Sequence, residues 1–267
     1  MKFKATCSLT LLAFACGAVQ ANTIGYWRME QDDNANQLSY SVPNEVTSGN
    51  PLTGAFGDIE AEVPFDTVPL TGAANSGALS GVDNTGFSPD ISGSVSYYPA
   101  LDASSITIEF FARTLENQGN FISRRDGASS GILINNPSEL SVRYTTVSGL
   151  VELTDLFDFG ADWEHFAFTY DQATGVGNVY VSGNLVGTHD GPDGEALTWP
   201  SGSALLVGQA LAGGPALLRE SIFDELRISD TALNTTEFLD PFVIPEPASL
   251  AAGAVGALLL LRRQRRI

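Results

Sequence analysis

The sequence is poor in thiols and in positive charge. Its two cysteines are Cys7 and Cys16, so everything after residue 16 lacks the means to form a disulfide or a cysteine-based zinc site. Thiol catalysis is excluded in that region by the same absence. Lysine occurs only at Lys2 and Lys4, and histidine only at His165 and His189. No long amphipathic helical pattern, heptad or internal repeat is present. Thirteen basic residues face 31 acidic ones, a net charge of −18. The segment from Asn22 to Ile244 is more extreme: it keeps seven basic residues, all arginine, against 30 acids, a net charge of −23. Such a surface repels phosphate backbones, so nucleic acid is excluded as a partner. It attracts divalent cations instead. A segment of this length buries a core large enough to fold without cross-links.

The two ends differ from this middle. Lys2 and Lys4 precede the short apolar stretch "LTLLAFACGAV", and Val19 and Ala21 occupy the −3 and −1 positions of a cleavage site. This pattern predicts a secretory signal peptide over residues 1–21, cut between Ala21 and Asn22. A lipoprotein cut before Cys16 fits less well, because "AFAC" lacks the leucine usual in such a box. At the other end, Pro245-Glu246-Pro247 stops any preceding strand. An apolar run follows, Ala248 to Leu261, broken only by Ser249. It is short for a membrane span, which needs about 20 residues. Arg262, Arg263, Arg265 and Arg266 come next and favour a cytoplasmic C-terminus.

Between the ends the pattern is that of strands. "SSITIEFFART" alternates, with Ile106, Ile108 and Phe110 on one face and Thr107, Glu109 and Phe111 on the other. "WEHFAFTYD" sets Trp163, His165, Ala167 and Thr169 opposite Glu164, Phe166, Phe168 and Tyr170. "NVYVSGNLVGTHD" is a hairpin signal, and "ESIFDELRIS" ends the series. Residues 25–93 read as long loops with a few short strands. One helical turn is expected at "NTTEFL", with Asn234 and Glu237 as a capping box. Many short strands with period-two alternation predict an all-β sandwich or barrel.

Two resemblances sharpen this reading. "IPEPASLAAGAVGALLLLRRQRR" resembles the bacterial PEP-CTERM sorting signal, with its Pro-Glu-Pro, apolar segment and arginine cluster in order. That resemblance implies an exported protein of a Gram-negative bacterium that is inserted transiently in the inner membrane. It also implies that an exosortase processes it on the way to the cell surface or matrix. The second resemblance is carried by "YWRME", Trp163 and His165, Tyr170-Asp171, Tyr180 to Gly183, Asp224-Glu225, and Ala232-Leu233 with Glu237. Together these are similar to the laminin-G-like, concanavalin A-like jelly roll. The resemblance implies a two-sheet antiparallel jelly-roll sandwich over residues 22–240, between the signal peptide and a sorting segment over residues 243–267 with a short C-terminal transmembrane helix.

The chemistry is sparse. A retaining glycosidase needs two carboxylates about 5 Å apart, and the Glu-x-Asp-x-Glu signature of jelly-roll glucanases is absent. Glu220 and Asp224 share a face but stand roughly 13 Å apart on a regular strand. A lyase would need a tyrosine or histidine base beside an arginine. His165 lies in a core-like strand and His189 in a loop. Members of the resembled family often hold a structural calcium, which implies Asp224 as a ligand with Glu30 as a neighbour; Asp190 and Asp193 form a further oxygen-rich stretch. For a sugar, the stacking candidates are Trp199, beside a proline and read as exposed, and Tyr97 and Tyr98. Trp27 and Trp163 read as strand residues of the core. The expectation is a non-catalytic surface or matrix protein that binds carbohydrate. A glycosidase or lyase on the same fold, and a purely structural matrix protein, are the alternatives.

Overall fold

Alternation of apolar and polar residues builds strands that can bury one face, and two such sheets facing each other close a core. The computed structural model describes residues 22–30, 39–56, 58–81, 90–114, 119–126, 130–210 and 218–240. Residues 1–21 and 243–267, expected as a signal peptide and a sorting segment, lie outside the described residues. Among those described, no helix is long and apolar enough to cross a membrane.

Strands β1 (Thr23–Trp27), β2 (Tyr40–Val42), β3 (Leu52–Phe56), β4 (Asp58–Glu60), β5 (Ala78–Ser80) and β6 (Asp90–Val95) occupy the loop-rich first part. Longer strands follow: β7 (Ile106–Thr114), β8 (Gly119–Asp126), β9 (Ser130–Asn136), β10 (Ser141–Thr146) and β11 (Gly149–Leu153). The last group is β12 (Glu164–Asp171), β13 (Val176–Val181), β14 (Asn184–Asp190), β15 (Leu205–Val207), β16 (Leu218–Arg219) and β17 (Ser221–Ser229). Helical structure among the described residues is limited to two 3-10 turns, Pro99–Asp102 and Thr235–Glu237. In the second turn the Glu237 carboxylate accepts from the Asn234 N–H at 2.9 Å, as the capping pattern predicts.

The strands form two antiparallel sheets, an all-β sandwich as the alternation predicts and the jelly roll that the family resemblance implies. One sheet has eight strands in the order β14-β13-β12-β7-β17-β5-β4, with β1 also paired to β17. The other has nine, in the order β11-β10-β9-β8-β15-β6-β3-β2, with β16 also paired to β6. Ile106, Ile108 and Phe110 of β7 point between the sheets, as do Phe166, Phe168 and Tyr170 of β12. Phe110 is the centre of this core: its ring lies 4.7 Å from Phe166, 4.8 Å from Phe223 and 5.2 Å from Phe121. Trp27 is fully buried in the same core. The β13–β14 hairpin turns on Ser182 and Gly183, both with positive φ, 44° and 73°. That backbone matches the twist of the flanking strands.

The outer face of the eight-stranded sheet is not bare. The chain from Thr231 to Asp240 crosses it after β17, and residues 65–68 cover its middle. Leu233 and Phe238 pack there against Ala167 and Tyr180. Leu239 packs with Val68 and Phe111, and Trp163 joins that outer cluster. Trp163 precedes β12 rather than lying on it, which corrects its reading as a core strand residue.

Candidate functional site

Three polar features stand on the sandwich. The first is buried on the outer face of the eight-stranded sheet. Glu109 of β7 has no exposed surface. Its Oε1 accepts from Arg227 Nε at 2.6 Å, and its Oε2 accepts from the Leu239 N–H at 2.7 Å and lies 3.0 Å from His165 Nε2. Arg227 also donates to the Glu237 carbonyl at 2.6 Å. Burial alone would raise the Glu109 carboxyl, but the His165 hydrogen bond, the Arg227 charge and the Leu239 N–H outweigh it and hold it below its ordinary range. This cluster pins residues 231–240 to the sheet. Thr107 helps from the same face, donating to the Thr231 carbonyl and accepting from the Leu233 N–H. His165 is thereby a structural residue.

The second feature lies on the same face, further along β17. The ladder between β17 and β7 slips by one residue between Asp224 and Arg227. Glu225 sits in this bulge with a φ of 54°. A left-handed glutamate is uncommon, and such strain gathers at functional sites. Met29 shows the same conformation, with a φ of 57°, between Arg28 and Glu30. Asp224, Glu225 and Glu30 are brought into one cluster. Asp224 accepts from Asn75 Nδ2 at 2.8 Å and from the Glu225 N–H at 2.8 Å. Glu225 accepts from the Tyr26 hydroxyl and from Arg28 Nε, the latter at 3.3 Å. Arg28 also pairs with Glu30 at 3.0 Å and donates to the Ala74 carbonyl. Glu30 in turn accepts from the Ser76 hydroxyl at 2.6 Å.

The charge in this cluster is out of balance. Burial, then the Glu225 charge, raise the Asp224 carboxyl well above its ordinary value. Burial pushes the Glu225 carboxyl up to about 7, although the Tyr26 hydroxyl and Arg28 offset part of the rise. Tyr26 is raised by its own burial and by Glu225, so its phenol is a donor and not a base. Asn75 Oδ1 is buried without a hydrogen-bond partner. Surplus carboxylate and an unpaired oxygen are what a divalent ion wants. Yet the Arg28 guanidinium lies between Glu225 and Glu30, where that ion would go. Among the described residues no three histidine, cysteine, aspartate or glutamate side chains are set to hold a metal ion. As arranged, the residues do not fit a bound calcium.

The third feature is an open groove of about 420 Å³ on the outer face of β12 and β13, walled by residues 232–235. Thr169, Asp171, Asn178 and Tyr180 project into it because their neighbours Phe168, Tyr170, Val179 and Val181 are taken by the core. Tyr180 is half-buried and held edge-on by Phe238, with centroids 5.4 Å apart. Asp171 is fixed by an Asx turn, accepting from the Ala173 N–H at 2.9 Å. Asn178 Oδ1 accepts from the Thr188 hydroxyl at 2.7 Å. The sequence reading passed over this groove. Its signal was the outward phase of "NVYV", where Asn178 and Tyr180 alternate with valines.

The stacking candidates fall elsewhere. Trp199 is half-buried, not exposed: its indole donates to the Ala103 carbonyl at 2.8 Å and its ring covers the buried Arg124 at 4.8 Å. Tyr97 meets the same guanidinium at 5.4 Å and donates to Asp102 at 2.8 Å. The two rings are thus brought together by an arginine, and Tyr97 is the more exposed of the two. Tyr98 donates to the Ile24 carbonyl at 2.9 Å and packs on the core. His189 lies on β14, not in a loop, 3.1 Å from the Tyr144 hydroxyl. Asn22 is paired to Asp230, its N–H 3.2 Å from the carboxylate. Ala21, Pro245, Glu246, Pro247 and the four terminal arginines lie outside the described residues.

A laminin-G family model described as the concanavalin A-like lectin/glucanases superfamily matches residues 89–238. No curated protein matches the chain by sequence. Domain 4 of AbnA, an extracellular GH43 arabinanase from Geobacillus stearothermophilus solved with arabinotriose, is 13% identical with a TM-score of 0.50; the match covers 82% of this chain and 97% of that one. Trypanosoma rangeli sialidase in complex with sialic acid is 12% identical with a TM-score of 0.52, over 82% of this chain. The match spans only 32% of the sialidase chain. Likeness at these identities is a likeness of fold.

Proposed function

Given that the chain belongs to the concanavalin A-like lectin/glucanases superfamily, we propose that it is an exported, non-catalytic protein that binds a polysaccharide in the groove along β12 and β13. One observation carries this reading: the groove sets a half-exposed tyrosine ring beside threonine, asparagine and aspartate side chains. A sugar presents an apolar CH face and a rim of hydroxyls that both donate and accept. A ring matches the first, and amide, carboxylate and hydroxyl groups match the second. The volume falls in the range of ordinary ligand sites. The arabinanase domain was solved with arabinotriose, but its likeness extends to the fold alone, so the argument rests on the groove.

The test is a polysaccharide array incubated with the purified protein, repeated with Tyr180→Ala. Loss of the ring should weaken glycan binding about tenfold, as for other stacked aromatics worth roughly 1 kcal/mol or more. Glycan binding that is indifferent to Tyr180 would move the site elsewhere. Binding to no glycan would leave the purely structural matrix role.

One observation favours a second reading, a glycosidase or lyase: Tyr26, Arg28 and a glutamate raised to about 7 lie in contact. Against it, Glu225 has no exposed surface to reach a substrate. Hydrolysis or elimination of any bound glycan, abolished by Glu225→Gln, would establish it. Residues 1–21 and 243–267 complete the proposal as export and sorting segments, with an exosortase as the processing partner and the cell surface or matrix as destination. Mass spectrometry of the mature protein should find Asn22 first and Arg262 to Arg266 gone.

A further inference from the structure

The groove along β12 and β13 carries charge of one sign. In the antiparallel ladder Asp171 of β12 stands opposite Val176 of β13, and Val176 stands opposite Asp190 of β14. Directly opposed residues share a face. Asp171, Val176 and Asp190 therefore form one row across the end of the groove. Strands lie about 4.8 Å apart, which sets the backbones of the two aspartates roughly 10 Å from each other. His189 has the opposite phase. It pairs with the buried Gly177 and meets the Tyr144 hydroxyl at 3.1 Å, on the side of the core.

No cation answers these carboxylates. Among the described residues, Asp171 is the only charged one that lines the groove. The wall adds a further acid, Glu237, which accepts from Asn234 Nδ2 at 3.0 Å. The arginines on the strands of this sheet already face carboxylates: Arg113 meets Glu62 at 2.7 Å and Arg227 meets Glu109. Asp171 receives neutral donors alone. One oxygen accepts from the Ala173 N–H at 2.9 Å and the other from the Thr174 hydroxyl at 3.1 Å. Its charge is unmatched, and each oxygen keeps a lone pair for one more donor. Asp190 is exposed.

This arrangement treats two kinds of polysaccharide differently. Hydroxyls of an uncharged sugar donate to the free lone pairs of Asp171, while the Tyr180 ring takes the CH face. A uronate in the same place meets like charge with no counter-charge built in, at a separation where repulsion still acts through surface water. The net charge of the chain does not supply this discrimination, because charges more than about 10 Å away are largely screened at ordinary salt. The nearest carboxylates supply it. We infer that Asp171 and Asp190 make the groove selective for an uncharged polysaccharide over the uronate-bearing polymer of the same sugar. Asp171 accepts sugar hydroxyls directly, and Asp190 acts through space. The inference rests on the glycan-binding reading of this groove and adds the class of glycan.

The test is calorimetry of the purified full chain against pairs of polymers that share a sugar and differ in charge: glucan with polyglucuronate, galactan with polygalacturonate, mannan with polymannuronate. At low salt the neutral member of a binding pair should bind about tenfold tighter or more. Added salt should narrow that gap. Asp171→Asn keeps the oxygen that caps the turn and removes the charge. It should weaken the neutral polymer by roughly threefold, as loss of a hydrogen bond to a charged acceptor requires, and tighten the polyuronate. Adding Asp190→Asn should close the gap further. Glu139→Gln removes an exposed charge from the turn between β9 and β10, in the other sheet, and should leave the gap as it was. Tyr180→Ala on top of Asp171→Asn should abolish the recovered polyuronate binding, which locates it in the groove. A polyuronate that binds wild type as tightly as its neutral counterpart at low salt overturns the inference. So does a gap indifferent to salt, or one that Glu139→Gln closes as far as Asp171→Asn does. The salt series uses the wild type alone, so a variant that fails to fold does not leave the matter open. Binding that depends on Tyr180 but ignores charge sinks this inference and leaves the groove standing. Binding of no polymer sinks both.

Discussion

Two carboxylate clusters share the outer face of one sheet, and they are built on opposite principles. Around Glu109 a single buried carboxylate meets Arg227, His165 and the Leu239 N–H. Around Asp224 three carboxylates meet one guanidinium, and their other donors are neutral: the Asn75 amide, the Tyr26 phenol, the Ser76 hydroxyl and backbone N–H groups. The first is saturated and holds the C-terminal segment in place. The second is under-neutralised, with two residues in strained left-handed conformations beside it. A buried charge is tolerable when every lone pair is met and costly when it is not. The first cluster therefore reads as a lock, and the second as a place that accepts positive charge.

The comparison breaks most visibly at Glu109. Glu109→Ala leaves the Arg227 charge buried without its partner and frees the Leu239 N–H. Breaking a buried pair from one side costs about 3–5 kcal/mol. Urea unfolding should show a loss of that size, with residues 231–240 becoming open to protease before the rest. A loss below about 1 kcal/mol would mean that the segment is held by Leu233, Phe238 and Leu239 alone.

Half of this contrast was legible in the sequence. Alternation placed Glu109 on the face opposite Ile108 and Phe110, and His165 on the face opposite Phe166, but it did not say which face was the main core, and Trp163, on the His165 face, read as core. Alternation also could not supply the cover: Arg227 and Leu239 arrive from more than 100 residues away. Asp224 and Glu30 were found as neighbours through family resemblance. Glu225 was not, because a regular strand would turn it away from Asp224, and only the bulge turns it back. A bulge is a property of the ladder between β17 and β7, and one strand's sequence does not display it. Trp199 misled for a related reason. Its Trp-Pro setting reads as an exposed loop, but the loop lies across the sheet end, where Arg124 needs cover.

The next test separates the clusters by pH. Glu109 is held below its ordinary value, so its contribution is present above about 4.5 and is lost as the pH falls through that range. Glu225 runs the other way. Its folded value is about 7 against an ordinary 4.5, so the folded state keeps a proton that the unfolded chain has lost. Stability is full below about 4.5 and declines as the pH rises through about 7, and Asp224 acts in the same direction. The Glu225 share should be on the order of 3 kcal/mol. Stability should therefore peak near the ordinary carboxylate value and fall on both sides. Glu225→Gln should flatten the alkaline limb and leave the acid limb intact. Equal flattening of both limbs would show that general repulsion at high net charge, and not this cluster, sets the slope.

The smallest expected effect is the most informative about the second cluster. In the wild type, the Arg28 guanidinium bridges Glu225 and Glu30 and reaches the Ala74 carbonyl. It is the cation that those two carboxylates share. Arg28→Gln removes that charge and keeps a polar side chain of similar reach. The variant is then left with Asp224, Glu225, Glu30 and the unpaired Asn75 oxygen, a set of hard oxygens suited to calcium. Millimolar calcium should raise the unfolding temperature of Arg28→Gln by an amount worth about 1 kcal/mol, as binding to the folded state alone requires. The wild type should respond less, because its arginine competes for the same carboxylates. Equal calcium stabilisation of both proteins would show that the ion and the guanidinium do not share a position, and the charge imbalance would need another explanation.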